Sequence, residues 1–333
     1  MDIGKLLEVL EDEPKYRLKQ AKQALFKDLI EDWQEAKVLP IELRKLLNQE
    51  CPINLDSSFF VGKNSLKAVL KLKDGLKIET VLIKHDDGRR TVCVSSQVGC
   101  ALACRFCATG SLGFKRNLTS GEILDQVLLM ARHLKKVGQE KISNLVFMGM
   151  GEPLLNYEEV KEALIYLNDK EAFNFGWRHM SLSTAGIIPA LTKLKKDFPQ
   201  VNLAISLHAP NDELRSKLMP INRKYNLKQL LATVDNHIKA TSRQVMFEYT
   251  LLKGINDSPE EAKALVKIMK KPLYMVNLIY YNPTGAFLPS SKKDFDNFFL
   301  ILSRSGVKVT KRFSLGADIV GACGQLTGLP KKI

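Results

Sequence analysis

The run NLVFMGM at residues 144–150 is an apolar segment closed by glycine and methionine, and five more of its kind follow it. They are HMSLST (179–184), VNLAISLH (201–208), QVMFEYTLL (244–252), YMVNLIYYN (274–282) and VKVTKRF (307–313). Between them lie stretches such as EEVKEALIYLNDK (158–170) and EEAKALVKIMKK (260–271). Their apolar residues recur every three or four positions, the mark of an amphipathic helix. Six strands alternating with helices predict an α/β fold with a parallel sheet, open or curled into a partial barrel. In such sheets the working residues collect at the carboxyl ends of the strands.

Upstream the pattern differs. Residues 3–50 read as helical, with Leu25, Phe26, Leu29, Ile30 and Trp33 at helical spacing and Pro14 and Pro40 marking helix starts. From Leu66, LKAVLKLKDGLKIETVLIKH alternates and predicts a hairpin turning at Asp74-Gly75. The expected division is an N-terminal helical domain at 1–65, a hairpin extension at 66–88, a catalytic core at 89–330 and a tail at 331–333.

The composition of the 333 residues, 45% hydrophobic and 26% charged, excludes a disordered or low-complexity chain. The net charge of +14 favours a polyanionic partner such as nucleic acid. Residues 1–88 hold 15 Lys and Arg against 16 acids, so the excess falls on 89–333. An acid-free stretch at 15–27, with Lys15, Arg17, Lys19, Lys22 and Lys27, is the exception, and it reads equally as an RNA contact or a solvated helix face. No apolar stretch approaches the roughly 20 residues of a membrane span, and the start lacks a signal-peptide layout, so a cytoplasmic protein with no membrane partner is expected.

The segment GCALACRFCATG (99–110) places Cys100, Cys104 and Cys107 in a C-x3-C-x2-C pattern. Structural zinc closes with four protein ligands, whereas an iron–sulfur cubane held by three cysteines leaves one iron open. Candidates for a fourth ligand are Cys93 and the distant Cys323. A buried structural trio is the bland alternative, and a loop containing Arg105 and Gly110 suits it poorly.

With an aromatic, Phe106, before the last cysteine, this loop resembles that of the radical S-adenosylmethionine (SAM) enzymes. MGMGEPLLN (148–156), STAGIIP (183–189), SLHAPND (206–212), MPIN (219–222), YNP (281–283) and ACGQL (322–326) resemble the RlmN-type adenine C2-methyltransferases of rRNA. The resemblance runs to residue 328 and is specific as a set. It implies a partial (β/α)6 TIM-like radical SAM barrel with a small N-terminal helical domain and hairpin. It also implies a [4Fe–4S] cluster on Cys100, Cys104 and Cys107, whose open iron takes the amino and carboxylate groups of SAM.

The same resemblance makes Gly151, Glu152, Ser183, Ser206, Leu207, His208 and Asn282 the SAM contacts. It makes Cys323 the acceptor of a methyl group from one SAM, with a second SAM providing the radical that activates it for addition to the adenine. Cys93 would then attack the Cys323 sulfur, releasing the methylated base through a transient disulfide. Glu79, in an ETV motif, would be the proton acceptor, an exposed hairpin carboxylate being its alternative. One departure is Asp318-Ile319-Val320-Gly321 ahead of Ala322-Cys323, where a second acid and an alanine are expected. Cys51 matches no motif and reads as structural.

The partners implied are 23S rRNA, with tRNA as a further substrate, and an electron donor such as a flavodoxin or ferredoxin system. Arg89, Arg90, Lys115, Arg116, Arg215, Lys217, Arg223, Lys224, Lys311 and Arg312 are the candidate phosphate contacts. Two alternatives stand beside C2 methylation. One is the sister class that methylates C8 of the same adenosine and confers antibiotic resistance. The other is a non-catalytic RNA-binding protein with zinc on Cys93, Cys100, Cys104 and Cys107.

Overall fold

The computed structural model describes residues 1–138, 141–312 and 315–328; the expected tail at 331–333 lies outside them. Both prolines start helices, as a residue with fixed φ and no N–H to leave unpaired should. Helix α1 (Ile3–Val9) precedes Pro14, α2 (Lys15–Lys22) follows it and runs into a π-turn at Gln23–Lys27, and α3 (Ile41–Glu50) follows Pro40. These helices pack around Trp33, whose indole N–H donates to the Cys51 carbonyl at 2.8 Å. Cys51 is buried there, away from the other cysteines.

The hairpin turns where expected. β1 (Ser57–Val61), β2 (Ser65–Lys71) and β3 (Lys77–Lys84) are antiparallel, and Lys71 faces Lys77 across the Asp74-Gly75 turn, where Gly75 has φ of 82°. β3 pairs in turn with β4 (Arg90–Cys93), so the hairpin continues into the main sheet. β5 (Gln97–Gly99), α4 (Ala108–Ser111) and β6 (Phe114–Asn117) frame the cysteine loop, with β5 and β6 paired as a separate ribbon.

A helix–strand alternation follows: α5 (Ser120–Lys136), β7 (Asn144–Phe147), α6 (Tyr157–Asn168), β8 (Met180–Thr184), α7 (Ile188–Asp197), β9 (Asn202–Ser206), α8 (Asp212–Leu218) and α9 (Leu227–Thr241). It ends with β10 (Val245–Leu251), α10 (Pro259–Met269), β11 (Tyr274–Tyr280), α11 (Lys292–Arg304) and β12 (Val309–Arg312). All six apolar runs are strands, and β4-β7-β8-β9-β10-β11-β12 are parallel neighbours in that order. Their near-continuous apolar runs are what a sheet buried on both faces requires. Capping boxes at Thr119/Glu122 and Asn226/Gln229 satisfy the first free N–H groups of α5 and α9.

The parallel series curls. Cys93 at the end of its first strand and Arg312 at the end of its last line one cavity, so β4 and β12 face each other across a seam. Residues 315–328 cover that seam, which makes the barrel partial. Asp318, which opens the stretch that departs from the family pattern, docks this segment by accepting from the Lys63 amide at 2.8 Å.

The basic stretch at 15–27 has structural partners. Lys22 pairs with Asp169 at 2.7 Å and Lys19 with Glu171 at 3.2 Å, tying α2 to the far end of α6. No helix among the described residues is long and apolar enough to cross a membrane.

Candidate active site

The cysteine loop is held from four sides. The Cys100 amide donates to the Gly113 carbonyl, the Arg105 amide to Leu218, the Cys107 amide to Cys104 and the Ala108 amide to Gly324, at 2.7–3.1 Å. Gly110 lies against the loop, where a side-chain carbon would meet the Cys104 backbone at 3.0 Å. Cys100, Cys104 and Cys107 then face one cavity of about 170 Å³. Burial, with the neighbouring cysteines adding to it, pushes the Cys100 thiol up to about 12 and Cys104 well above its ordinary range.

Three soft sulfur donors, of which Cys100 and Cys104 resist ionisation alone, are a good set for a cationic iron cluster, which favours the thiolate. Among the described residues no three His, Cys, Asp or Glu side chains converge as one metal ion requires. A cubane, with one thiolate per iron, does not require it. Cys93 lies in an adjoining cavity of about 330 Å³, so the four-cysteine zinc site is not assembled.

The same cavity wall contains Gly151, Glu152, Ser183, Ser206, His208 and Asn282, at or just beyond strand ends, and Cys323 from the segment that covers the seam. Gly151 has φ of 98°, and a side-chain carbon would fall 2.5 Å from that of Gln97. Gly151→Ala should destabilise the protein by about 2–4 kcal/mol, from left-handed strain plus overpacking, and lower SAM affinity at least about tenfold. Denaturant unfolding and equilibrium binding measure the two effects.

The buried Glu152 carboxylate accepts from the amides of Leu154 at 3.0 Å and Ala185 at 2.8 Å. Burial nonetheless raises its pKa to about 6. It thus presents anionic oxygens, backed by backbone dipoles, to any ammonium in the cavity. Leu207 is buried and does not reach the cavity; its backbone ties β9 to Glu248 and to Arg215.

His208 has φ of 56°, and its Nδ1 accepts from the Thr250 amide at 3.0 Å, which leaves the proton on Nε2. Its ring meets Phe106 edge-on at 4.6 Å. Burial lowers its pKa to about 3, so the folded protein keeps it neutral. An unfolded histidine takes a proton near 6.5, so this neutrality makes stability fall as pH drops from 6.5 toward 3. Between about pH 7 and about pH 5 the loss is about 2 kcal/mol, and His208→Asn should remove that component of the pH dependence in denaturant titrations.

Cys323 faces the first cavity and also the adjoining one, which it shares with Cys93, Met148, Arg312 and Leu326. All six cysteines are free thiols. Burial, with Cys323 adding to it and Arg312 opposing both, raises Cys93 to about 12. The Asn282 amide donates to the Cys323 carbonyl at 3.3 Å. Glu79 lies outside both cavities and is fully buried, which removes the exposed-carboxylate alternative.

With this geometry the similarity to known proteins becomes specific. Residues 94–266 match the model of the radical SAM superfamily. The chain is 42% identical to a probable dual-specificity RNA methyltransferase RlmN of Dictyoglomus thermophilum, across 98% of this chain and 95% of that one. It is also 42% identical to a ribosomal RNA large subunit methyltransferase Cfr of Bacillus velezensis, across 95% and 92%. A crystal structure of a radical SAM methyltransferase from Sphaerobacter thermophilus superposes with a TM-score of 0.93, at 41% identity, over 99% of this chain and 98% of the other. The chain belongs to the RlmN/Cfr family of radical SAM RNA methyltransferases. Its cofactors are a [4Fe–4S] cluster and SAM.

Three site residues of this RlmN/Cfr chain escape sequence reasoning. Glu248 lies inside β10, lines the cavity of the cysteine loop, and takes both hydrogen bonds of the Asn277 amide, at 3.0 and 3.2 Å. An acid amid QVMFEYTLL was the available signal, since an unpaired carboxylate is rarely buried. Arg312, a phosphate-contact candidate by sequence, instead lines both cavities, with Glu248 at 3.8 Å. Arg215, also read as a phosphate contact, is fully buried. Its guanidinium donates to the carbonyls of Leu207, Ala185 and Ser206 and to Asn222, at 2.8–3.2 Å, locking the β8 and β9 ends that carry Ser183, Ser206 and His208. Arg116 is likewise engaged, by Asp74 and Glu122.

Proposed function

We propose that the protein methylates C2 of an adenosine in 23S rRNA, with tRNA as a further substrate, through a methyl group carried on Cys323 and two SAM molecules per turnover. The observation that carries this reading is the position of Cys323. It borders the cavity of the cluster cysteines on one side and the cavity of Cys93 on the other. A cysteine so placed can meet SAM first and a base second.

In this reading Cys100, Cys104 and Cys107 hold the cluster, and Glu152 and the Gly151 backbone take the SAM amino group. When bound, the cluster and SAM supply an electron and a hydrogen-abstracting radical. The chain's own residues do the remainder. The Cys323 thiolate displaces the methyl group of one SAM, forming a C–S bond and releasing S-adenosylhomocysteine. After the methylene carbon has joined the electron-poor adenine, Glu79 accepts the ring proton and the odd electron of the adduct returns to the redox group that started the radical. The Cys93 thiolate then attacks the Cys323 sulfur, the carbon–sulfur bond breaks, the released methylene takes a proton to become the methyl group, and the disulfide left behind is reduced by an external donor.

Identity to RlmN and Cfr relatives is equal at 42%, so the preference for C2 over C8 rests on the motifs GEPLLN and SLHAPND. The names of the relatives support RNA as the partner. Lys115, Arg223 and Lys224 are exposed and remain candidates for phosphate contact, with residues 1–65 as an accessory RNA-contacting domain, 66–88 as its extension and 89–330 as the core. A flavodoxin or ferredoxin system is the proposed electron donor and the cytoplasm the place of action.

Anaerobic incubation of iron-reconstituted protein with SAM, reductant and unmodified 23S rRNA fragment, followed by nucleoside mass spectrometry, tests the reading. A 2-methyladenosine product is expected, and 8-methyladenosine would move the protein to the sister class. Metal analysis should give about four irons and a brown absorption; one zinc in a colourless anaerobic preparation would reject the enzyme.

A further inference from the structure

The segment that carries Cys323 is gripped on both sides of that residue by one buried ion pair. Lys67 on β2 and Glu79 on β3 are diagonal neighbours in the hairpin, since Ala68 faces Thr80 and Val69 faces Glu79. Both side chains are 1% exposed, with Nζ and Oε1 3.1 Å apart. The Lys67 ammonium also donates to the Val320 carbonyl at 3.3 Å and sits 5.2 Å from the centre of the Phe60 ring. The other Glu79 oxygen accepts from the Thr327 amide at 2.9 Å. Three residues before Cys323 and four after it, the backbone is thus tied to the same two charges.

The gripped conformation is strained. Val320 has φ of 50°, which a β-branched residue adopts only where its surroundings hold it, and Gly316, Gly324 and Gly328 are also left-handed. A buried Lys–Glu pair is seldom retained for stability alone, because apolar replacements do as well. Its effect here is to fix where Cys323 stands.

We propose that Lys67 is a positioning residue that couples the charge on Glu79 to the placement of Cys323. The inference rests on Glu79 being the proton acceptor. When the adenine ring proton passes to the Glu79 carboxylate, the acid formed is a weaker acceptor for the Thr327 amide. The Lys67 ammonium is then a buried charge without a counter-charge, a cost relieved only when it swings toward water and releases the Val320 carbonyl. The segment then swings at the moment when Cys93 must reach the Cys323 sulfur.

The test is hydrogen–deuterium exchange over residues 316–328, together with the alkylation rate of Cys323 by peptide mass spectrometry, on full-length iron-reconstituted protein without SAM or RNA. Glu79→Gln keeps the shape and removes the charge, and should exchange the Thr327 amide at least about tenfold faster and alkylate Cys323 faster. Lys67→Met should do the same, and Lys67→Arg should restore parental rates. If Lys67→Met fails to fold, Lys67→Met/Glu79→Gln removes both charges and should match Glu79→Gln alone. Parental exchange in Glu79→Gln overturns the proposal. Methylation assays separate the two readings: a loosened segment with undiminished turnover in Glu79→Gln removes the proton coupling, whereas blocked turnover with parental exchange rejects the clamp and leaves the proton acceptor standing.

Discussion

Cys323→Ala should form no methylated adenosine while retaining its four irons. The fall is expected to be on the order of 10⁴–10⁶-fold, as when a covalent nucleophile is removed, because in the proposed reaction the electron-poor adenine carbon has no second route to a methyl group. The fold should survive. Cys323 is half-buried, its hydrogen bond to Asn282 uses the backbone carbonyl, and the neighbouring Ala108–Gly324 link is also backbone to backbone. Truncation to alanine therefore removes one sulfur at a cost of about 1 kcal/mol. Iron content, ultraviolet–visible absorption and nucleoside mass spectrometry on one preparation are sufficient. Activity in that variant would reject Cys323 as methyl carrier.

Cys93→Ala should fail in the opposite direction. The methyl carbon still reaches the base, but nothing displaces it from Cys323, so protein and RNA remain joined by a thioether. Denaturing electrophoresis with labelled RNA should show a protease-sensitive adduct approaching one RNA per protein, and multiple turnover should fall at least about 100-fold. In the parent the Cys93 thiol is buried and its pKa is pushed to about 12, with Arg312 acting against that rise. Release should consequently quicken as pH rises, since only the thiolate attacks. A Cys93→Ala variant that turned over freely would remove this residue from the reaction.

Much of this site could be read from the chain because the relevant signals are local. The cysteine trio lies within eight residues, and each SAM-contact candidate ends an apolar run whose period identifies a buried strand. The Asp74-Gly75 turn was legible for the same reason. β1 and β4 were not, since SSFFV and RTVC are too short to show a period. Arg215 and Arg312 carry the charge of a surface residue, and only the packing of α8 and the curl of β12 toward β4 turn them inward. Lys67 sits in an alternating hairpin where lysines read as solvent-facing. Its burial depends on Val320 and Glu79, the first some 250 residues away. Contacts of that span leave no trace in a window of sequence.

The seam between β4 and β12 has a consequence for how the molecule comes apart. Strands that share ladders on both sides open only with the whole sheet, but the seam is closed by a segment whose described residues form nothing longer than the 3-10 turn Ala317–Ile319. Such a segment detaches at a small fraction of the global unfolding free energy. Mild heat or dilute denaturant should therefore displace Cys323 well before the parallel strands part. What remains is a native-looking, iron-bearing protein with a normal circular dichroism spectrum that has lost the means to hand on a methyl group.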